Sequence, residues 1–326
     1  MKKFLSMFLL LALLAALTGC SEKETPKTPV AVEQEEPLAQ PPEQDPASEP
    51  TGPQAGQFVF TRDNFPKLDG STSTVPLAQA MAAVLLSEDL EQVGDLIQFS
   101  KTTQSYRNLI WGQSDLLLAA EPAEPIWNEK ADNGFEWVME PFAIDGLIFV
   151  VSADNPVDSL TVEQVQKIYT GEYTNWSQVG GDDVPIAAFQ RNAEAGSQTM
   201  MKKLVMDGLE LMEPPVEYIV ESMYGLMEAV KSYDGSAGAI GYSVYYYAND
   251  MRMADGLKIL RVGDVEPSPE TFRDGSYPFT NPYYVVMKAG LAEDDPTYIL
   301  FQWVLSPEGQ ELVAEKGYAA VSGMEE

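Results

Sequence analysis

Arg191 and the run Gly196-Ser197-Gln198-Thr199 are the residues of this chain best suited to chemistry on an anion. A guanidinium presents a planar fork of donors that matches phosphate or carboxylate oxygens. Small residues at a helix start let an oxyanion approach unpaired backbone N–H groups at the positive end of the helix dipole. The flanking pattern predicts that geometry. Ile186 to Phe189 has strand character, and Met200/Leu204 with Met201/Val205 recur at the helical i, i+4 spacing. A strand is therefore expected to end near Phe189, a short loop to carry Arg191 and Ala195, and a helix to start at Gly196. Taken alone, the fragment fits a capped helix beside a solvated surface arginine equally well.

Two more hydroxyl-rich segments lead into helices. In Asp69-Gly70-Ser71-Thr72-Ser73-Thr74-Val75-Pro76, Ser73 or Thr74 suits an N-cap and Pro76 the first turn. The helix that follows is expected to bury Leu77, Met81, Val84 and Leu85. Ser100-Lys101-Thr102-Thr103 opens a further helix. Leu116 to Ala120 reads as a short buried strand with Glu121 at its end, either solvated or facing a site. Gly146 to Val151, Ala239 to Tyr242 and Tyr283 to Met287 read as strands. Thr161 to Gln164 is a capping box for a helix that buries Val162, Val165, Ile168 and Tyr169. A helix is expected around Met223 to Val230. A last helix runs from Ser306 as N-cap and Pro307 to Gly317 at its C-terminus. The four tyrosines between Tyr242 and Tyr247 read as packing. Strands and helices alternate throughout, which is an α/β architecture.

Composition narrows the function. The chain has 326 residues, no histidine, and Cys20 as its only cysteine. Ser-His-Asp and Cys-His nucleophile systems and His/Cys zinc sites are thereby removed, as is an intrachain disulfide framework. The formal charge of −30 argues against nucleic acid. A hydrolase using paired carboxylates would need two acids at a defined separation, which residue order does not display. Carboxylate-only metal or acid–base sites stay open on composition, since acidic residues are abundant.

The first 57 residues read as a leader and a tether. Lys2 and Lys3 precede an apolar run, Phe4 to Ala16, that is short for a bilayer span. It ends in Leu17-Thr18-Gly19-Cys20, which resembles the lipobox of bacterial lipoproteins. That resemblance implies a signal peptide over 1–19, cleavage before Cys20, and membrane anchoring by a lipid on the Cys20 thiol. Residues 21–57 hold eight prolines, eight acidic residues and two lysines, a composition that cannot bury enough apolar surface to order itself. Fully extended, this tether reaches about 120 Å at roughly 3.3 Å per residue. The leader carries +2 and the tether −6, leaving −26 on residues 58–326. An anion site in such a body has to work by local donors against an unfavourable long-range field.

The ordered segments as a set resemble the PstS-like phosphate-binding lipoproteins of ABC transporters, a group of periplasmic-type solute-binding proteins. Asp69 to Pro76, Thr102 to Tyr106, Asp115 to Pro122, Asn155-Pro156-Val157, Leu160 to Gln164, Ile168 to Gly171 with Thr174-Asn175-Trp176, Gln190 to Thr199, Gly238 to Tyr242, and Ser306 to Gly309 with Gly317-Tyr318 carry the likeness. It spans about Phe65 to Val321. The resemblance implies a two-lobed, type II periplasmic-binding-protein fold, with residues 58–142 plus 280–326 as lobe one, 143–279 as lobe two, and the ligand in the cleft. It implies that Thr74, the Val75 N–H and either Thr102 or Thr103 donate from lobe one. Arg191, the Gly196 N–H and Ser197 would donate from lobe two, and Glu121 would accept the proton of bound monohydrogen phosphate. Sulfate has no such proton and would leave a buried charge unpaired. The implied partners are inorganic phosphate, ABC permease subunits and the membrane; the likeness implies a binding protein, not an enzyme, and no cofactor. The chain departs from the family at Ala195, where relatives commonly offer a serine hydroxyl, although the Ala195 N–H could still donate. It also has Glu, not Asp, at 121. An interaction or sensor lipoprotein with altered or absent anion binding is the alternative expectation.

Overall fold

A computed structural model describes residues 58–321 apart from 234 and 235. The leader, Cys20 and the tether lie outside the described residues. In chain order the strands are β1 (Leu68–Gly70), β2 (Leu116–Ala120), β3 (Trp137–Ser152), β4 (Ser159–Leu160), β5 (Ala187–Ala188), β6 (Gln190–Arg191), β7 (Ile219–Val220), β8 (Ala239–Val244), β9 (Leu257–Val262), β10 (Thr280–Lys288) and β11 (Ala319–Ala320). The helices are α1 (Val75–Leu86), α2 (Leu90–Val93), α3 (Thr102–Ile110), α4 (Glu124–Asp132), α5 (Val162–Tyr169), α6 (Gly196–Met200), α7 (Met223–Lys231), α8 (Tyr245–Asn249), α9 (Pro269–Arg273), α10 (Pro296–Leu305) and α11 (Pro307–Glu315).

The apolar run of β2 shows why the sheet is covered on both faces. All five of its residues are buried. Alternation sends Leu116, Leu118 and Ala120 into the main core, while Leu117 and Ala119 join a second cluster with Tyr106 and Leu109 of α3 and Ile126 of α4. β2 pairs in parallel with β1 and antiparallel with β10. The approach to β1 is close: a Cβ on Gly70 would lie 2.0 Å from the Leu118 carbonyl oxygen.

The sixteen-residue β3 is the longest strand among the described residues. Its first part, Trp137 to Gly146, pairs with β10, and its second part, Leu147 to Ser152, pairs with β8 and β9. The main sheet path runs β1-β2-β10-β3-β8-β5. One strand therefore joins the sheet region holding β1 and β2 to the region holding β5 and β8. This is the α/β architecture expected from the alternating pattern.

Several local expectations hold, and others change. Thr74 is the N-cap of α1 with proline in its first turn. Leu77 and Met81 are buried, but Val84 is 39% exposed and the helix instead buries Ala78, Ala80 and Ala82. Because α1 is apolar nearly all round, residue spacing alone does not select its inward face. The Thr161–Gln164 capping box forms reciprocally, at 3.1 and 2.8 Å. Val165, Ile168 and Tyr169 are buried beneath it, while Val162 is only partly so. Ser306 caps α11, and Gly317 has φ +89° just past its end. Tyr242, Tyr246 and Tyr247 are buried. Arg191 is not in a loop: it lies in β6, which pairs in parallel with β7. The helix begins at Gly196 as expected but continues as a π-helix over Met201–Met206.

Candidate functional site

The end of β2 organises one wall. The Ser71 N–H donates to Leu118 O at 3.0 Å, and the Ala120 N–H donates to Ser71 Oγ at 3.1 Å. Ser71 Oγ also lies 2.8 Å from Thr102 Oγ1, so one hydroxyl donates to the other. The loop before α1 is thereby tied to the start of α3. Thr74 is fully buried, and its hydroxyl faces Ser71 O at 2.8 Å and Leu118 O at 2.6 Å. It has one proton, and carbonyl oxygens compete for it. The Val75 N–H is held by Thr72 O.

The second wall is built on β6 and α6. Arg191 is buried, and its backbone N–H donates to Tyr242 OH at 2.9 Å. Tyr242 OH in turn donates to Gln198 Oε1. The guanidinium donates from Nε to Val220 O at 3.1 Å and from Nη2 to Glu221 O at 3.0 Å. These bonds fix its plane and leave Nη1 3.4 Å from Ser197 Oγ. The Ala195 N–H closes a turn onto Asn192 O at 3.2 Å, and Ala195 is the N-cap of α6.

The walls touch. A Cβ on Gly196 would lie 2.7 Å from Thr102 Oγ1 and 3.2 Å from Thr102 Cβ. Glycine is required here by proximity, not by backbone angle. Thr103 Oγ1 donates to Glu194 O across the same seam. Of the residues singled out in the sequence, Thr102, Gly196, Ser197 and Arg191 thus form one chain of contacts, with Thr103 beside it. Glu121 is not in that chain of contacts; its Oε2 is bound by the ammonium of Lys203, from the π-helical stretch. Ser71, Tyr242 and Lys203 were not recognised from sequence as parts of this arrangement. Ser71 stood within a segment already marked by its hydroxyls, whereas Lys203 had only its charge to recommend it.

A buried acid sits behind the first wall. Asp145, in β3 where pairing passes from β10 to β8, accepts from Gly146 N at 2.8 Å, Tyr246 N at 3.2 Å and Tyr283 OH at 3.2 Å. Burial pushes its carboxyl up to about 7, against the downward pull of these three donors. Tyr283 OH also lies 2.6 Å from Ser73 Oγ, and Tyr318 OH donates to Ser73 O at 2.5 Å. Among the described residues, no group of three or more His, Cys, Asp or Glu side chains is placed to hold a metal ion. No helix among them is long and apolar enough to cross a membrane.

Comparison with known proteins agrees with this architecture. The PBP superfamily domain matches residues 47–308. The chain is 29% identical over 184 residues to the phosphate-binding protein PstS of Borreliella burgdorferi, covering 55% of this chain and 64% of that protein. The chain therefore spans just under two thirds of that relative. It is 26% identical over 266 residues to the phosphate-binding protein PstS of Bacillus subtilis, covering 79% of this chain and 81% of the relative. A solved structure from Clostridium perfringens, described as a phosphate ABC transporter substrate-binding protein with bound phosphate, superposes with a TM-score of 0.61 at 26% identity. That match covers 78% of this chain and 98% of the other. With its α/β sheet and a domain match over most of its length, the chain belongs to the PBP superfamily.

Proposed function

We propose that this chain is an extracytoplasmic solute-binding protein, anchored by a lipid on Cys20, that captures inorganic phosphate and delivers it to an ABC permease. The observation that carries this reading is the junction of the two walls. Arg191 Nη1 and Ser197 Oγ, 3.4 Å apart, stand at the start of α6, where Gly196 packs on Thr102. A guanidinium, two hydroxyls and helix-start N–H groups make a donor set for a tetrahedral oxyanion. The relatives named for phosphate binding and the phosphate-bound neighbour support the choice of ligand.

In this reading residues 58–142 with 280–326 are lobe one, 143–279 are lobe two, and β3 and β10 lie at their junction. Arg191, Gly196, Ser197 and Thr102 are the core of the site, with Thr103 and the Ala195 backbone beside them. Thr74 and Val75 stand at the α1 start. To use them, the anion has to recruit donors now held by the Ser71, Leu118 and Thr72 carbonyls. Glu121 would accept the phosphate proton on Oε1, its other oxygen being held by Lys203. The test is thermal unfolding with added phosphate. A ligand at a hundred times its Kd stabilises by about 2.7 kcal/mol, a rise of several degrees for a domain of this size. No shift at millimolar phosphate, with the protein folded, would refute the reading.

A second reading, an interaction or sensor lipoprotein, draws on particular contacts. The Thr74 proton and one Glu121 oxygen already have internal partners, and Ala195 lacks a hydroxyl. Capture of a partner independently of phosphate, by protein that binds no anion, would favour it.

A further inference from the structure

Two ion pairs cross the seam between the walls, one using a residue just before Gly196 in the chain and one a residue after it. Arg107 of α3 meets the Glu194 carboxylate at 3.0 Å, and Glu121 at the end of β2 meets Lys203. Arg107 is already fixed on its own wall. Its Nε and Nη2 donate to the Glu129 carboxylate at 2.8 to 3.1 Å, while Nη1 donates to Glu194 Oε2 at 3.0 Å and Nη2 reaches Glu194 Oε1 at 3.4 Å. A side chain held by one partner loses little further freedom when it takes a second. Charge adds a reason for the pairing. The body carries −26, and Glu194 and Glu121 would present two carboxylates beside an anion site if left alone. With the walls together, Lys203 offsets Glu121, and Arg107, whose one charge is shared with Glu129, offsets part of Glu194.

We propose that Arg107–Glu194 and Lys203–Glu121 form an electrostatic clasp that sets the rate at which the captured anion is released. The proposal rests on the phosphate-capture reading and adds the residues that govern retention. Arg107 and Lys203 are positioning residues: neither has to touch the anion, and both hold the seam that Thr102 and Gly196 form. Because the pairs exist only when the walls meet, they act on dissociation and not on encounter.

The experiment is a chase of labelled inorganic phosphate from the full chain by excess unlabelled phosphate, with association measured in parallel. At low salt, Arg107→Met, Glu194→Gln and Lys203→Met are each expected to speed release about two- to fivefold, the range for pairs of this exposure. Association should change less. The double variant Arg107→Met/Glu194→Gln should release no faster than the faster single variant, and Arg107→Lys should recover part of the retention. At about 1 M salt, where the screening length is roughly 3 Å, variants and wild type should converge. Release unchanged in every variant, a double variant equal to the product of its singles, or a loss confined to association would overturn the clasp. Should Arg107→Met fail to fold, Glu194→Gln carries the test, since that side chain is 53% exposed. If the wild-type chain binds no phosphate, the capture reading fails and the clasp with it. If it binds phosphate and the variants release normally, only the clasp fails.

Discussion

Replacing Asp145 by asparagine should remove a specific pH dependence of stability. The Asp145 carboxyl stands at about 7 in the folded protein against an ordinary value of 3.8, because burial disfavours its charged form. Between those values the folded chain holds a proton that the unfolded chain has released. Stability therefore falls as pH rises from about 4 to 7 and is flat above it, where both states are ionised. Three pH units at 1.36 kcal/mol each set a ceiling of about 4 kcal/mol. Asparagine keeps the local bonds, since its oxygen can accept from Gly146 N and Tyr246 N and its amide can donate to Tyr283 OH. The assay is urea unfolding of wild type and Asp145→Asn from pH 4.5 to 8.5. General charge repulsion in this acidic body acts on both proteins and cancels in the difference. The stability advantage of wild type over variant should decline by up to about 3 kcal/mol across that range, the remainder of the ceiling lying below pH 4.5. Parallel stability profiles would refute the buried-carboxyl argument.

Gly196→Ala should weaken phosphate binding by about five- to a hundredfold in a calorimetric titration. Its Cβ would stand 2.7 Å from Thr102 Oγ1, and overpacking of this kind costs about 1–3 kcal/mol. Ala195→Ser should tighten binding by up to about ten- to a hundredfold, the worth of one hydrogen bond to a charged ligand; unchanged affinity would mean the missing hydroxyl does not limit binding. Arg191→Ala should largely abolish phosphate binding. Circular dichroism must show the fold retained, since Arg191 also holds Val220 O and Glu221 O.

What was legible in the sequence follows a physical division. Short-range signals carried well: the Thr161–Gln164 box, the Ser306 cap and the α6 start at Gly196 depend on neighbours within four residues. The grouping of Thr102, Gly196, Ser197 and Arg191 came from family likeness and appears as contacts. What the sequence did not display depends on long-range pairing. Arg191 joins a strand only because Ile219–Val220 comes alongside. The β3 strand runs on through Glu140 and Pro141, which look like a break, because β10 supplies a partner along that length. Lys203 meets Glu121, 82 residues away, with no local signal to announce the pair. Likewise, Tyr242 read as core packing, and it is buried, yet its hydroxyl also holds the Arg191 backbone.

Calorimetric titration of the folded protein with inorganic phosphate and then with sulfate separates the phosphate-capture reading from the interaction or sensor reading. Saturable binding of one phosphate is expected, with sulfate much weaker, because Glu121 can accept a proton from monohydrogen phosphate and sulfate has none to give. No heat of binding from phosphate would contradict the proposed function. Sulfate bound as tightly as phosphate would leave an oxyanion site but contradict the role given to Glu121.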